Sequence, residues 1–314
     1  MLFHEFPDLG WLKSQTAQRF SNRMGWGGLR LETDGFPSVI INTSTRNAFR
    51  PDITGPLSVF LNIKGESRAE TDGRSLLVKQ GFYFISNRFQ PYSLEIDSAA
   101  PTETFNIHFG EYFSGSVLQG LITPADKLLN NEQRQPVASV DFYNKLYRCD
   151  DRFNYLVRQL YTSHRERFDK LLFEEQLAAL LAYLLGQHRH ILQAVEKLPP
   201  VKQSTRIELY RRLSYALDYI HSGSTTDISL DTLASAACLS KYHFLRLFKL
   251  AYGLSPHQYL QQCRLQKARE LLAHSSLPVH EIATELGFEA GASFSRLFFR
   301  QTGMYPSQYR SPGK

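Results

Sequence analysis

The 314-residue chain reads as an α+β multidomain protein: an N-terminal β-barrel, a helical segment, then an all-α C-terminal domain. Three observations predict this. Short apolar runs separated by turn residues fill the first 140 residues or so. Apolar residues then recur at three- and four-residue steps, the helical period. The last third repeats itself internally and holds all of the chain's excess charge.

The β segment is expected over residues 1–140. Its strands are read at Ser38–Asn42, Leu57–Ile63, Ser75–Val78, Phe82–Ile85, Tyr92–Ile96 and Thr104–Phe109. Lys64-Gly65-Glu66, Gln80-Gly81 and Ser86-Asn87 punctuate them as turns. Their shortness and regular spacing suit a sandwich or barrel. Thr71-Asp72-Gly73-Arg74 reads as a tight hairpin, where Gly73 readily takes the positive φ required.

Residues 141–198 are expected to be helical. Leu146, Phe153, Leu156, Val157, Leu160 and Tyr161 form one amphipathic pattern. Leu171 to Leu185 is apolar over more than one face, which suits burial against another helix or a second subunit. Pro199 and Pro200 stop this helix and open a linker over 199–205.

Residues 206–314 read as entirely helical, with two related halves. Phe244, Arg246, Leu247, Phe248, Gly253, Pro256 and Tyr259 recur 50 positions later as Phe294, Arg296, Leu297, Phe298, Gly303, Pro306 and Tyr309. Upstream, Leu233-Ala234 pairs with Ile282-Ala283 at an offset of 49. Two copies are too few for a solenoid. Each instead reads as a helix, a turn and a second helix. In the first copy Ser229 and Ser240 stand where N-caps are needed. Phe244, Leu247, Phe248 and Ala251 share one helical face; Tyr242, Leu245, Arg246 and Lys249 share the other. In the second copy Phe294, Leu297 and Phe298 point inward, and Ala292, Ser295, Arg296 and Phe299 outward. An apolar face opposite a cationic one is the design of a helix that enters the DNA major groove. Ser255 to Ala273 reads as the connecting helix, with Tyr259, Cys263 and Ala268 inward and Arg264, Lys267 and Arg269 solvated.

Charge agrees with this division. Residues 201–314 hold 14 Lys and Arg against 8 Asp and Glu, so the whole net charge of +6 lies there and residues 1–200 are neutral. A basic domain beside a neutral one points to a polyanion at one end. With 42% apolar and 21% charged residues, the composition is that of a globular protein. Three cysteines, Cys149, Cys238 and Cys263, make no disulfide framework and suit a reducing compartment. The N-terminus lacks the apolar core of a signal peptide, and the longest apolar run, Leu177 to Leu185, is too short for a bilayer. Neither secretion nor a membrane is expected.

The C-terminal segment resembles the DNA-binding domain of the AraC/XylS family of bacterial transcription regulators. Ile282-Ala283, Gly287-Phe288, Phe294, Ser295-Arg296, Phe298, Gly303, Pro306, Tyr309 and Arg310 carry the likeness. Leu233-Ala234, Ser240, Phe248-Lys249, Gly253, Ser255-Pro256 and Tyr259 repeat it in the first unit. The resemblance implies DNA contacts from Ser240, Lys241, Tyr242, Leu245, Arg246 and Lys249 in the first unit, and from Ser293, Arg296 and Arg300 in the second. Two departures stand out. Phe299 occupies a position where the family usually has Lys, and Gly291-Ala292 replaces longer polar side chains. The second unit is therefore expected to contribute mainly backbone affinity.

The β segment resembles, more loosely, the cupin-like barrel with which many such regulators sense small molecules. Metal-dependent cupins use three histidines, but residues 1–140 contain only His4 and His108. His188 and His190 diverge on a helix, and no phosphate loop or Gly-x-Ser-x-Gly motif occurs. No catalysis, metal or cofactor is expected. The candidate effector residues are Arg46, Phe60, Phe84, Arg88 and His108, with Phe82 as further lining and Arg50 as an alternative anion partner.

Taken together, the sequence predicts a cytoplasmic, homodimeric, sequence-specific DNA-binding transcription regulator controlled by a small effector in its barrel. The family leans to activation, with RNA polymerase as a partner beside double-stranded DNA. The competing expectation is a regulator whose N-terminal domain binds no ligand and serves only dimerisation or partner contact.

Overall fold

A computed structural model describes residues 2–8, 36–122, 140–163, 169–199, 202–222, 228–288 and 290–310; Pro200 and Val201 of the expected linker lie outside them. The chain forms two compact units, Met1–Ile191 and Leu192–Lys314.

The first unit is built on eight strands: β1 (Leu2–Phe3), β2 (Val39–Ile53), β3 (Ser58–Lys64), β4 (Glu66–Thr71), β5 (Arg74–Lys79), β6 (Phe82–Ser86), β7 (Tyr92–His108) and β8 (Leu146–Arg148). They form one nearly closed, barrel-like sheet in the order β1-β2-β7-β3-β6-β8, with β4 paired to β5 and β7. All pairings are antiparallel except β1 with β2. Thr71 pairs with Arg74 across Asp72 and Gly73, whose φ values of 50° and 68° make the tight hairpin the sequence predicts.

Four elements differ from expectation. Tyr92–Ile96 and Thr104–Phe109 are parts of one 17-residue strand, β7, which pairs with β2, β3 and β4. β4 alternates exposed and buried residues, but its inward Ser67, Ala69 and Thr71 are too small and polar to show a hydrophobic period. Leu146 lies in strand β8 rather than in a helix, opposite Phe84 of β6. Helix α1 (Glu111–Ile122) follows the barrel where no helix is expected.

The barrel core groups Ile53, Phe60, Ala69, Leu76, Val78, Phe84, Tyr92 and Leu146. On the opposite face of β6, Tyr83 stacks on Phe153 at 4.0 Å. Phe153 opens the buried stripe of α2 (Asp151–Ser163), completed by Leu156, Val157 and Leu160. Helix α3 (Lys170–Glu196) buries Phe173, Leu177, Leu180, Leu181 and Leu184, while Leu171 and Leu172 stay exposed.

The second unit contains α4 (Gln203–His221), α5 (Leu230–Ala236), α6 (Lys241–Tyr252), α7 (Pro256–His274), α8 (Val279–Glu285), α9 (Gly291–Thr302) and α10 (Pro306–Arg310). α7 starts with a reciprocal capping box between Ser255 and Gln258, with Pro256 at the first turn. Its C-terminal half supplies Leu265, Ala268 and Leu272 to a core shared with α8 and α9.

Candidate DNA interface and candidate effector pocket

Helix α5, a turn and helix α6 form the first unit; α8, a turn and α9 form the second. Phe244, Phe248, Phe294 and Phe298 are fully buried. Phe248 meets Tyr259 edge-on at 5.8 Å, and Phe298 meets Tyr309 edge-on at 5.3 Å. Both second helices end in left-handed glycines, Gly253 and Gly303, with φ of 73° and 74°. The 50-residue repeat is therefore a repeat of packing geometry.

The residues of α6 outside the core face solvent. Tyr242 is 74% exposed and does not pack on its own turn. Leu245, Arg246 and Lys249 are exposed on the same face. Among the described residues, no hydrogen bond or ion pair holds the side chain of Arg246 or Lys249. Ser240 caps the helix, its Oγ accepting from the His243 amide. Lys241 pairs with Asp231 at 2.6 Å, an exposed contact worth about 0–1 kcal/mol that a phosphate can displace.

On α9, Ser293, Arg296 and Arg300 are also exposed. Arg296 Nε donates to the Ala292 carbonyl at 3.4 Å, folding the side chain along its own helix. Phe299 is exposed and stacks on Tyr305 at 4.6 Å. Ala290 stands where Ser240 caps α6, so α9 has no side-chain cap. The expectation of a solvated Arg264 needs correcting. Its guanidinium lies over Phe288 at 5.7 Å, and burial lowers its pKa.

The barrel holds a partly open cavity of about 310 Å³, with an almost wholly apolar wall. Its polar lining residues are Arg50, Thr54, Tyr92, Asn106 and His108, set among Phe6, Val39, Ile41 and Phe60. Strand register explains this set. Val39 pairs with His108 and Ile41 with Asn106, so all four point to one face. A register shift between Thr45 and Asn47 then moves the inward positions of β2 from odd to even numbers, which brings Arg50 inward opposite Leu94.

Of the five candidate effector residues, Phe60 and His108 line this cavity. Arg46 lies at the register shift and is exposed to solvent. Phe84 is fully buried, stacked on Phe60 and opposite Leu146, and is not among the residues that line the cavity. Arg88 is held outside the cavity by Glu111 at 2.5 Å. The arginine on the cavity wall is Arg50. Asn106, outside the expected set, joins them on the wall because it alternates with His108 along Thr104–Phe109.

Three polar atoms of the lining residues have no partner among the described residues: Arg50 Nε, Asn106 Nδ2 and His108 Nε2. Burial holds the His108 imidazole down at about 4, so it is neutral at pH 7. Ser58 Oγ donates to the Pro56 carbonyl at 2.8 Å and lies 2.8 Å from His108 Nδ1. A hydroxyl has one proton, so His108 Nδ1 carries the other and Nε2 is an acceptor. Among the described residues no group of three or more His, Cys, Asp or Glu could hold a metal, and no helix is long and apolar enough to cross a membrane.

Comparison with known proteins adds to this geometry. Residues 233–311 match the family model described as a helix-turn-helix domain. The probable transcriptional regulator LumQ of Photobacterium leiognathi is 32% identical over 171 residues, covering 54% of this chain and 64% of that protein. The transcriptional activator RhaR of Escherichia coli is 36% identical over 137 residues, covering 43% of this chain and 45% of RhaR. The chain thus spans about half to two thirds of these relatives' lengths. A solved AraC-type regulator from Chromobacterium violaceum is 28% identical, over 32% of this chain and 95% of that one, with a TM-score of 0.31. The two matched units define a double helix-turn-helix DNA-binding domain. That C-terminal domain is of the AraC type, the kind the sequence resembles.

Proposed function

We propose that the protein is a sequence-specific transcription activator whose barrel binds a small effector. The observation that carries the DNA half is the outer face of α6, with Tyr242, Leu245, Arg246 and Lys249 exposed above a buried apolar face. Arg246 reads a guanine edge, and Ser240, Lys241, Lys249 and Arg300 meet phosphates. Ser293 and Arg296 support the second unit in the next major-groove segment, one turn of about 34 Å away. The effector half is carried by the cavity, which lies at the small end of the ~300–1,000 Å³ range of ligand sites. The domains follow accordingly: 1–140 for sensing, 141–198 for dimerisation, 199–205 as linker and 206–314 for DNA. Exposed Leu171 and Leu172 on α3 support a homodimer. RNA polymerase is the partner that activation requires, and cytoplasmic residence follows from a DNA target.

DNase footprinting of genomic fragments with the full chain tests the DNA reading. Two adjacent protected major-groove segments are expected, with affinity falling steeply as salt rises. No protection at low salt would refute it. Mass measurement in solution tests the dimer, and a monomer at micromolar concentration refutes it.

A further inference from the structure

The cavity described above has more specific chemistry than an apolar hole. Its wall is almost entirely hydrocarbon, yet it incorporates a cation, an amide and a neutral imidazole with unpartnered nitrogens. Buried polar atoms without partners are rare in native proteins, because each keeps the cost of its lost hydration. Asn106 and His108 are both more than nine-tenths buried, 2% and 7% exposed, on a strand that would pack better with apolar residues there. Arg50 sits at the other polar position, its guanidinium 5.4 Å from the Phe6 ring. Burial holds the Arg50 pKa below its usual value, with Tyr92 and Asp8 acting in the opposite direction. Phe60 lines the same cavity, its ring centroid 5.8 Å from His108 and 4.8 Å from Tyr92.

These groups ask for complementary functions on a ligand. A guanidinium with a free N–H is best satisfied by a carboxylate. An imidazole fixed with its Nδ1 proton on Ser58 presents a lone pair at Nε2 and needs a donor. The remaining wall, Phe6, Val39, Ile41 and Phe60, takes hydrocarbon or an aromatic ring. We propose that the cavity binds a small, largely apolar carboxylic acid that also carries a hydroxyl: the carboxylate on Arg50, the apolar body against Phe60, and the hydroxyl donating to His108 Nε2, with Asn106 supporting the hydroxyl. This assignment rests on the reading of the barrel as an effector domain. It excludes sugars as the ligand class, because polyols would leave most of their hydroxyls against hydrocarbon.

The test uses the full-length protein, thermal stabilisation and titration calorimetry. The probes are straight-chain and phenyl-substituted carboxylic acids of graded length, each with and without a terminal hydroxyl, each also as its methyl ester, with glucose and rhamnose as polyol controls. At least one hydroxy acid should bind ten-fold or more tighter than its ester and several-fold tighter than its deoxy form. Arg50→Gln should erase the preference for acid over ester, and Arg50→Lys should keep part of it. His108→Phe should erase the preference for the hydroxyl and leave the acid preference intact. Asn106→Leu should raise the melting temperature of the unliganded protein while weakening the hydroxy acid, which a purely structural Asn would not do. Equal binding of acids and esters, a preference that survives Arg50→Gln, tighter binding of the polyols, or no binding across the panel would each overturn the ligand class. The effector reading is scored separately in a promoter reporter, with Val39→Trp and the milder Ile41→Phe filling the cavity. If footprints persist and both variants still respond to growth conditions as wild type does, control through the barrel falls as well.

Discussion

The two helix-turn-helix units share an interior and differ at the surface. Leu247 and Leu297 are 7% and 8% exposed, and the paired phenylalanines are equally buried. The turns are the same in hydrogen bonding: the Cys238 amide reaches Ser235 and Leu239 reaches Ala234, as Gly287 reaches Thr284 and Phe288 reaches Ala283. Yet the first unit places Cys238 at φ 51° where the second has Gly287 at 73°. The second unit also has one more residue between that position and its second helix, which is why the repeat offset changes from 49 to 50. Outside, the first unit shows Lys241, Tyr242 and Lys249 where the second shows Gly291, Ala292 and Phe299. Packing constrains the buried positions, and solvent leaves the outer ones free to take on different tasks.

The largest expected effect tests the shared interior. Phe248→Ala and Phe298→Ala should each destabilise the protein by about 3–5 kcal/mol in urea unfolding. A severe loss for one and a mild loss for the other would break the equivalence. The outer faces come next. Arg246→Ala should weaken operator binding by about 1–3 kcal/mol and relax specificity at one base pair. Arg296→Ala should weaken all sequences alike and by less. A uniform loss from Arg246→Ala would remove its base-reading role.

Smaller effects come from the turns. A side chain in the left-handed region costs about 1–2 kcal/mol, so Cys238→Gly should stabilise the first unit by roughly 1 kcal/mol and Gly287→Ala should cost the second about as much. Thermal melts of both variants would show it, and a destabilising Cys238→Gly would mean that the thiol is held by packing. The smallest change concerns Phe299. Phe299→Lys should steepen the dependence of log affinity on log salt by about one. An unchanged slope would place this position away from the phosphates.

Much of the C-terminal domain was legible because a helix carries its pattern locally. Buried Phe244, Leu247, Phe248 and Ala251 and exposed Tyr242, Leu245, Arg246 and Lys249 follow from a 3.6-residue period within twelve residues. Arg264 escaped, since a long side chain can lay its stem and head over an aromatic ring without altering the period. The barrel was legible as a class, but less so in its parts. Leu146 continued a helical spacing into residues that pair with β6, and β4 carried no apolar period at all.

The sequence by itself determined the two-part plan, the repeat, the inward and outward faces of both second helices, and the absence of a three-histidine site from residues 1–140. Tertiary structure alone decided which arginine lines the cavity. Arg46, Arg50 and Arg88 are equivalent as letters, but a register shift on β2 turns Arg50 inward and leaves Arg46 exposed, and Glu111 holds Arg88 elsewhere. The physical reason is the range of the interactions. A helix face is set by neighbours three and four residues away, whereas the face of a strand residue depends on pairing with residues some forty to seventy positions distant, where a one-residue shift reverses every side chain.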